Sequence, residues 1–233
     1  RQMLKPENKT MPTKRSGLVL GGIHYDKDSI AGQTPGSLAT RSYTFDGDSA
    51  RRVGFSYLPG TLNETNNIVS YLSGKKYTIN YVTGKGASES FFKKASVGRP
   101  YFIHVATHGF YLPETRGRSE ALPGTVSRVS NPLLRSGLLL AGGNRAWLGE
   151  AIPQGQEDGI LNSFEISNLD LSHTKFVVLS ACETGLGDIR GSEGVFGLQR
   201  AFKLAGVEYI INSLWQVPDA QTSELMQAFI LIG

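Results

Sequence analysis

At 233 residues the chain is long enough for one large domain with a real core, and 39% apolar with 19% charged residues excludes wholesale disorder. A net charge of +4, from 24 basic against 20 acidic residues, is too mild for a nucleic-acid binder, whose lysines and arginines gather on one face or in runs. A single cysteine excludes an intramolecular disulfide and fits a reducing, cytoplasmic setting, and no apolar run approaches the roughly 18 residues that span a bilayer, so no membrane association is expected.

Residues 1–16, with Arg1, Lys5, Lys9, Lys14 and Arg15, read as a solvated lead-in, and residues 17–233 as one domain. Arg1 starts without a leader, and the sequence stops inside an apolar helical pattern at 224–232, so the chain reads as a piece of a longer protein, its domain truncated at the C-terminus. Residues 17–23 are an apolar run with glycines near its end, the pattern of a buried strand entering a loop. Residues 26–51 are a polar excursion, and 52–57 predict a strand within it. Thr61-x-x-Glu64 has the form of a capping box opening a helix over 62–72. A strand is predicted over 77–82, a short helix over 88–95 with Phe91 and Phe92 inward, and a strand over 101–106. Residues 110–135 form a loop of mixed order and 136–141 an extended piece. Asp158 is placed to cap a helix over 159–166. The most apolar strand covers 175–180. Ser192 caps a helix over 193–204 that Gly206 ends, and 208–214 returns as a strand. Alternating strands and helices predict an α/β fold with a mostly parallel central sheet and helices on both faces.

Parallel α/β sheets bind ligands at the carboxyl ends of their strands. Two such ends carry reactive groups: 101–106 delivers Thr107-His108-Gly109, and 175–180 delivers Ala181-Cys182-Glu183-Thr184-Gly185. If these strands are neighbours, a thiol and an imidazole meet at one edge. An imidazole there lowers the thiol's pKa and later protonates the leaving amine, as nucleophilic acyl transfer requires. The backbone N–H groups of Gly109 and Cys182 are the candidate oxyanion hole, since a side chain at Gly109 would obstruct the approach. Taken singly, a free cysteine after an apolar strand is a small core hydrophobe and a histidine before glycine is a turn residue. Their joint placement carries the reading. His104 is assigned to structure and His173 to a surface loop, and His24 stays open.

The blocks Phe102-Ile-His-Val-Ala-Thr-His-Gly-Phe110 and Val177-Val-Leu-Ser-Ala-Cys-Glu-Thr-Gly185 resemble the two active-site blocks of the CHAT family, caspase-like (clan CD) cysteine peptidases related to separases and caspases. Further matching stretches are Leu58-Pro-Gly-Thr-x-x-Glu64, Asp158-Gly-Ile-Leu161, Leu169-Asp-Leu171, Gly191-Ser-Glu-Gly-Val-Phe-Gly-Leu-Gln-Arg200, Ala205-Gly206 and Ser213-Leu-Trp-Gln-Val-Pro-Asp219. Together they cover about 17–230. The resemblance implies a caspase–haemoglobinase fold, a catalytic His108–Cys182 dyad, no metal or organic cofactor, a protein or peptide substrate, and tetratricopeptide-type repeats upstream in the full-length protein. It also brings Ser180, Trp215, Gln216, Asp219 and Asp26 forward as substrate-binding positions. Gly22-Ile23-His24-Tyr25-Asp26 resembles the Gly-Ile-x-Tyr segment that borders the specificity pocket in this superfamily, with a histidine at its variable position. Separases carry an acid after the tryptophan matching Trp215, where this chain has Gln216, and metacaspases carry one two residues before the cysteine, where it has Ser180. A strong preference for basic residues is therefore unsupported, although Asp219 and Asp26 leave it open. Trp215 is expected to wall the substrate cleft with Asp219 at its rim; the competing expectation is that Trp215 closes the core. Two other classes compete with a peptidase. A silent scaffold of the same fold would not need both His108 and Cys182, and a nucleotide binder would need a phosphate-cradling loop that Gly84-x-Gly86 and Gly185-x-Gly187 do not complete.

Overall fold

The apolar runs become the strands of one parallel sheet. In the computed structural model of the chain, the described residues are 15–25, 42–43, 54–75, 77–112, 131–181 and 192–212, with 42–43 and 192–196 described by backbone alone. Numbered along the chain, the sheet among these residues contains β1 (Arg15–Ile23), β3 (Tyr77–Gly84), β4 (Phe102–Ala106), β8 (Phe176–Ser180) and β9 (Tyr209–Asn212). Their spatial order is β3-β1-β4-β8-β9, and every neighbouring pair is parallel. Central strands of such sheets are covered on both faces, which is why β1, β4 and β8 are nearly continuous apolar runs. Strand alternation divides their side chains between two faces. Val19 packs with Ile68 and Leu72 of α1 (Pro59–Ser73) on one face. On the other, Leu18, Leu20, Ile103, Val105, Val177 and Leu179 pack with Phe92 of α2 (Glu89–Ser96) and with Leu198, Ala201 and Phe202 of α5 (Ser192–Leu204). Phe92 is buried and Phe91 half-buried, so the pair expected to face inward does so unequally.

A second sheet grows from the carboxyl edge of the first. It comprises β2 (Ser42–Tyr43), β5 (Gly109–Tyr111), β6 (Ser136–Leu139) and β7 (Ile160–Asn162) in the order β2-β5-β6-β7, with β2–β5 parallel and the other pairs antiparallel. The chain leaves the main sheet at Ala106 and enters the second at Gly109. His108 therefore stands at the junction of the two sheets.

Local structure departs from the sequence reading at three places. The predicted helix over 159–166 is split: Gly159 has φ +78°, a conformation that suits glycine and breaks a helix, and residues 160–162 pair with β6 as β7. The helix that follows, α4 (Ser163–Ser167), is capped by Asn162 instead of Asp158, with Glu165 completing a reciprocal capping box. Residues 54–57, expected within a strand, belong to no strand or helix. Thr61-x-x-Glu64 is not a capping box either. Helix α1 begins earlier, with Pro59 in its first turn, and its N-cap residue is Leu58, whose apolar side chain has no acceptor to offer the free N–H groups of that turn. The Thr61 hydroxyl instead donates to the Leu58 carbonyl at 2.6 Å and accepts from Gly22 N–H at 3.0 Å, tying the helix start to the end of β1. Among the described residues no helix is long and apolar enough to cross a membrane.

Candidate active site

The two strands that deliver the reactive residues are neighbours. β4 and β8 are hydrogen-bonded and parallel, with Phe102 opposite Phe176 and Ala106 opposite Ser180. The ladder extends one bond further, from Thr107 N–H to the Ser180 carbonyl at 3.3 Å. His108 and Cys182 therefore each follow the last paired residues, Ala106 and Ser180, by the same two positions. Cys182 itself lies outside the described residues, as do Asp26, Trp215, Gln216 and Asp219.

His108 is held from all sides. Its backbone carbonyl accepts from Leu139 N–H at 2.9 Å. The preceding Thr107 donates its hydroxyl to the Leu139 carbonyl and shares a 3.0 Å hydrogen bond with the Tyr25 hydroxyl. The imidazole lies between the rings of Tyr25 and Phe55, at centroid distances of 4.9 and 5.0 Å. Its Nε2 is 2.8 Å from the Ser56 carbonyl oxygen. A carbonyl can only accept, so Nε2 carries a proton, and in the neutral ring the basic nitrogen is Nδ1. The ring is almost fully buried, which limits its rotation.

The segment that supplies the Ser56 carbonyl is itself clamped. Asn144, in α3 (Gly143–Trp147), accepts from Phe55 N–H at 2.7 Å and donates to the Phe55 carbonyl at 2.9 Å. Its own backbone N–H donates to the Tyr25 carbonyl at 3.1 Å. Trp147 packs edge-on against Phe55 at 4.9 Å. Phe55, Ser56 and Asn144 were not singled out in the sequence as functional, and Tyr25 entered only as part of the pocket-bordering segment 22–26. Ser56 acts through its backbone and Asn144 through a contact across 89 positions, and neither leaves a motif.

Ser180, expected along the substrate cleft, is instead fully buried, and its hydroxyl donates to the Glu64 carboxylate at 3.0 Å. It shares a sheet face with Ala106 and His104, against α1, because strand alternation turns its side chain into the core. His104, assigned to structure, is likewise fully buried, with Nε2 at 2.7 Å from the other Glu64 oxygen. His173 is exposed, as a surface loop residue should be. His24 sets its ring edge-on to Tyr57 at 5.6 Å and lines an open cleft with Lys85, Arg145 and Asp158 at the carboxyl edge of β1 and β3.

The same cleft reaches a cluster of Glu89, Glu157 and Glu165, whose carboxylate oxygens lie within 4.8 Å of one another. The Lys93 ammonium sits among them at 2.6, 3.1 and 2.9 Å, in the place a cation would take. Burial works against the charged lysine, but its hydrogen bonds to Glu89, Glu165 and Glu157 outweigh this and hold its pKa above the ordinary value. Burial pushes the Glu89 carboxyl up to about 8 despite Lys93, with Glu165 and Asp158 adding repulsion, and burial also raises Asp158. Such a carboxyl stabilises the fold fully below its ordinary value of 4.5, and that contribution is lost as pH rises through about 8. Glu89→Gln should therefore gain stability relative to wild type between about pH 5 and pH 9. Thermal unfolding of both proteins across that range measures it, and a difference in Tm that does not move with pH would leave Glu89 an ordinary carboxyl.

No curated protein and no solved structure matches the chain. The family model of the CHAT domain matches residues 4–231, most of the chain. With a parallel central sheet flanked by helices, and with the histidine strand beside the strand that precedes the cysteine, the chain belongs to the CHAT domain family, a caspase-like family of clan CD.

Proposed function

We propose that this domain is a cysteine endopeptidase that cleaves a protein partner or its own chain through a Cys182–His108 dyad. The observation that supports it most is the pairing of Ala106 with Ser180, from which both residues follow at the same offset on hydrogen-bonded neighbouring strands. In this reading Nδ1 of His108 takes the Cys182 proton, and the thiolate adds to the scissile carbonyl carbon. The oxyanion is met by the N–H groups of Gly109 and Cys182. Collapse of the adduct breaks the C–N bond, with the His108 proton passing to the leaving amine. Water, deprotonated by the same nitrogen, then hydrolyses the thioester and returns the thiol. The Ser56 carbonyl keeps Nε2–H in place throughout and stabilises the transient imidazolium.

Asp26, Trp215, Gln216 and Asp219 are proposed to border the cleft, and tetratricopeptide-type repeats to present a partner from upstream. The single cysteine fits a cytoplasmic setting. Incubating the domain with a peptide library and sequencing the fragments tests the reading, with Cys182→Ala as control. Cleavage lost in the control is expected. Cleavage that persists in it would remove Cys182 as the nucleophile, and none by the wild-type full-length protein would favour a silent scaffold of the same fold.

A further inference from the structure

Glu64 is a carboxylate where stability alone would favour an apolar side chain. It lies on α1, fully buried, and taking such a group out of water costs several kcal/mol unless its partners are well placed. Its two oxygens divide between two strands. Oε1 is 2.7 Å from His104 Nε2 on β4, and Oε2 accepts from the Ser180 hydroxyl on β8 at 3.0 Å. These strands lead, four residues on from His104 and two on from Ser180, to His108 and Cys182. The same stretch of chain reaches His108 directly. Ser56 offers its carbonyl to the imidazole, and the Thr61 hydroxyl receives Gly22 N–H from the end of β1. Residues 55–64 thus touch both the histidine, through Phe55 and Ser56, and the strands that lead to the pair, through Glu64.

We propose that Glu64 is a positioning residue for the Cys182–His108 pair, bridging β4 and β8 so that the thiol and the imidazole emerge at a fixed separation. This rests on the dyad reading and deepens it. Proton transfer between the two groups needs hydrogen-bond reach, and a displacement of about 1 Å costs roughly 100-fold in rate. A hydrophobic filler at position 64 could support the sheet but could not hold two polar strand positions at once.

The test uses the full-length protein and iodoacetamide, an uncharged thiol probe. If Cys182 is the only cysteine labelled, which mass spectrometry of the product establishes, its alkylation rate at neutral pH reports the paired thiolate. His108→Ala sets the rate of an unpaired thiol. The wild-type rate should exceed that of His108→Ala by about 10-fold or more, and Glu64→Gln should lose most of the excess. Ser180→Ala, which removes one of the two bridges, should lose part of it, and Ser180→Thr, which keeps the hydroxyl, should recover it. Melting curves run alongside separate lost positioning from lost folding. If Glu64→Gln does not fold, the Ser180 pair of variants decides alone. A wild-type rate equal to that of His108→Ala would overturn the dyad reading and this proposal with it. A wild-type excess that survives in Glu64→Gln and Ser180→Ala, even with lowered Tm, would overturn the positioning role and leave the dyad standing.

Discussion

Replacing His108 with alanine should abolish peptide cleavage, by about 10⁴-fold or more, and Cys182→Ala should do the same, with the double variant no worse than either alone. The histidine variant needs a companion. The His108 ring is buried between Tyr25 and Phe55, and truncation leaves a hole whose cost is on the order of 2–4 kcal/mol. Loss of activity in His108→Ala could then be loss of fold. His108→Gln resolves this. Its amide nitrogen can still donate to the Ser56 carbonyl and its volume is close to that of imidazole, but an amide cannot carry a proton between thiol and amine. We expect a protein that melts close to wild type and cleaves nothing. Assays of turnover and thermal unfolding on the same preparations check this. Wild-type turnover in a folded His108→Gln protein would remove the histidine from the chemistry.

What the sequence announced and what it hid divide along physical lines. The parallel strands were legible because burial on both faces writes long apolar runs, and β1, β4 and β8 are such runs. The strand-then-His-Gly block at 102–109 was legible because its groups are consecutive. Glu64 was misread because Thr-x-x-Glu at a helix start has a local explanation, the capping box, while its actual partners are 40 and 116 positions away. Asp158 misled for the same reason, standing before a glycine whose left-handed backbone ends one path and starts a strand. Ser180 was placed at the cleft by resemblance, whereas the strict alternation of β8 already turned it into the core on the side of Ala106. Local signals thus gave the elements, and long-range hydrogen bonds gave the shell around His108.

That shell carries the other large effect expected here. Asn144→Ala should lower both stability and turnover, because Asn144 holds the backbone of Phe55, next to the Ser56 carbonyl that faces His108. Its amide closes both backbone groups of Phe55, accepting at 2.7 Å and donating at 2.9 Å, in a buried site. Removing it strands an N–H and a C=O away from water, at about 1–3 kcal/mol each. The adjoining Ser56 carbonyl then loses the anchor that aims it at His108 Nε2, and Phe55 loses its seat against the imidazole. A loosened histidine should cost about 100-fold in turnover beyond what the fall in folded fraction explains. Asn144→Asp sharpens the point. It keeps the acceptor for Phe55 N–H but turns an oxygen toward the Phe55 carbonyl, so it should be no better than alanine despite its matching shape. Gly54→Ala approaches the same clamp from the other side, since a Cβ there would come within 2.9 Å of the Asn144 amide. Turnover per folded molecule, measured with Tm for all three variants, decides. If stability falls while the folded molecules cleave at the wild-type rate, the segment carrying Ser56 holds its position without Asn144, and the imidazole is oriented by its ring neighbours alone.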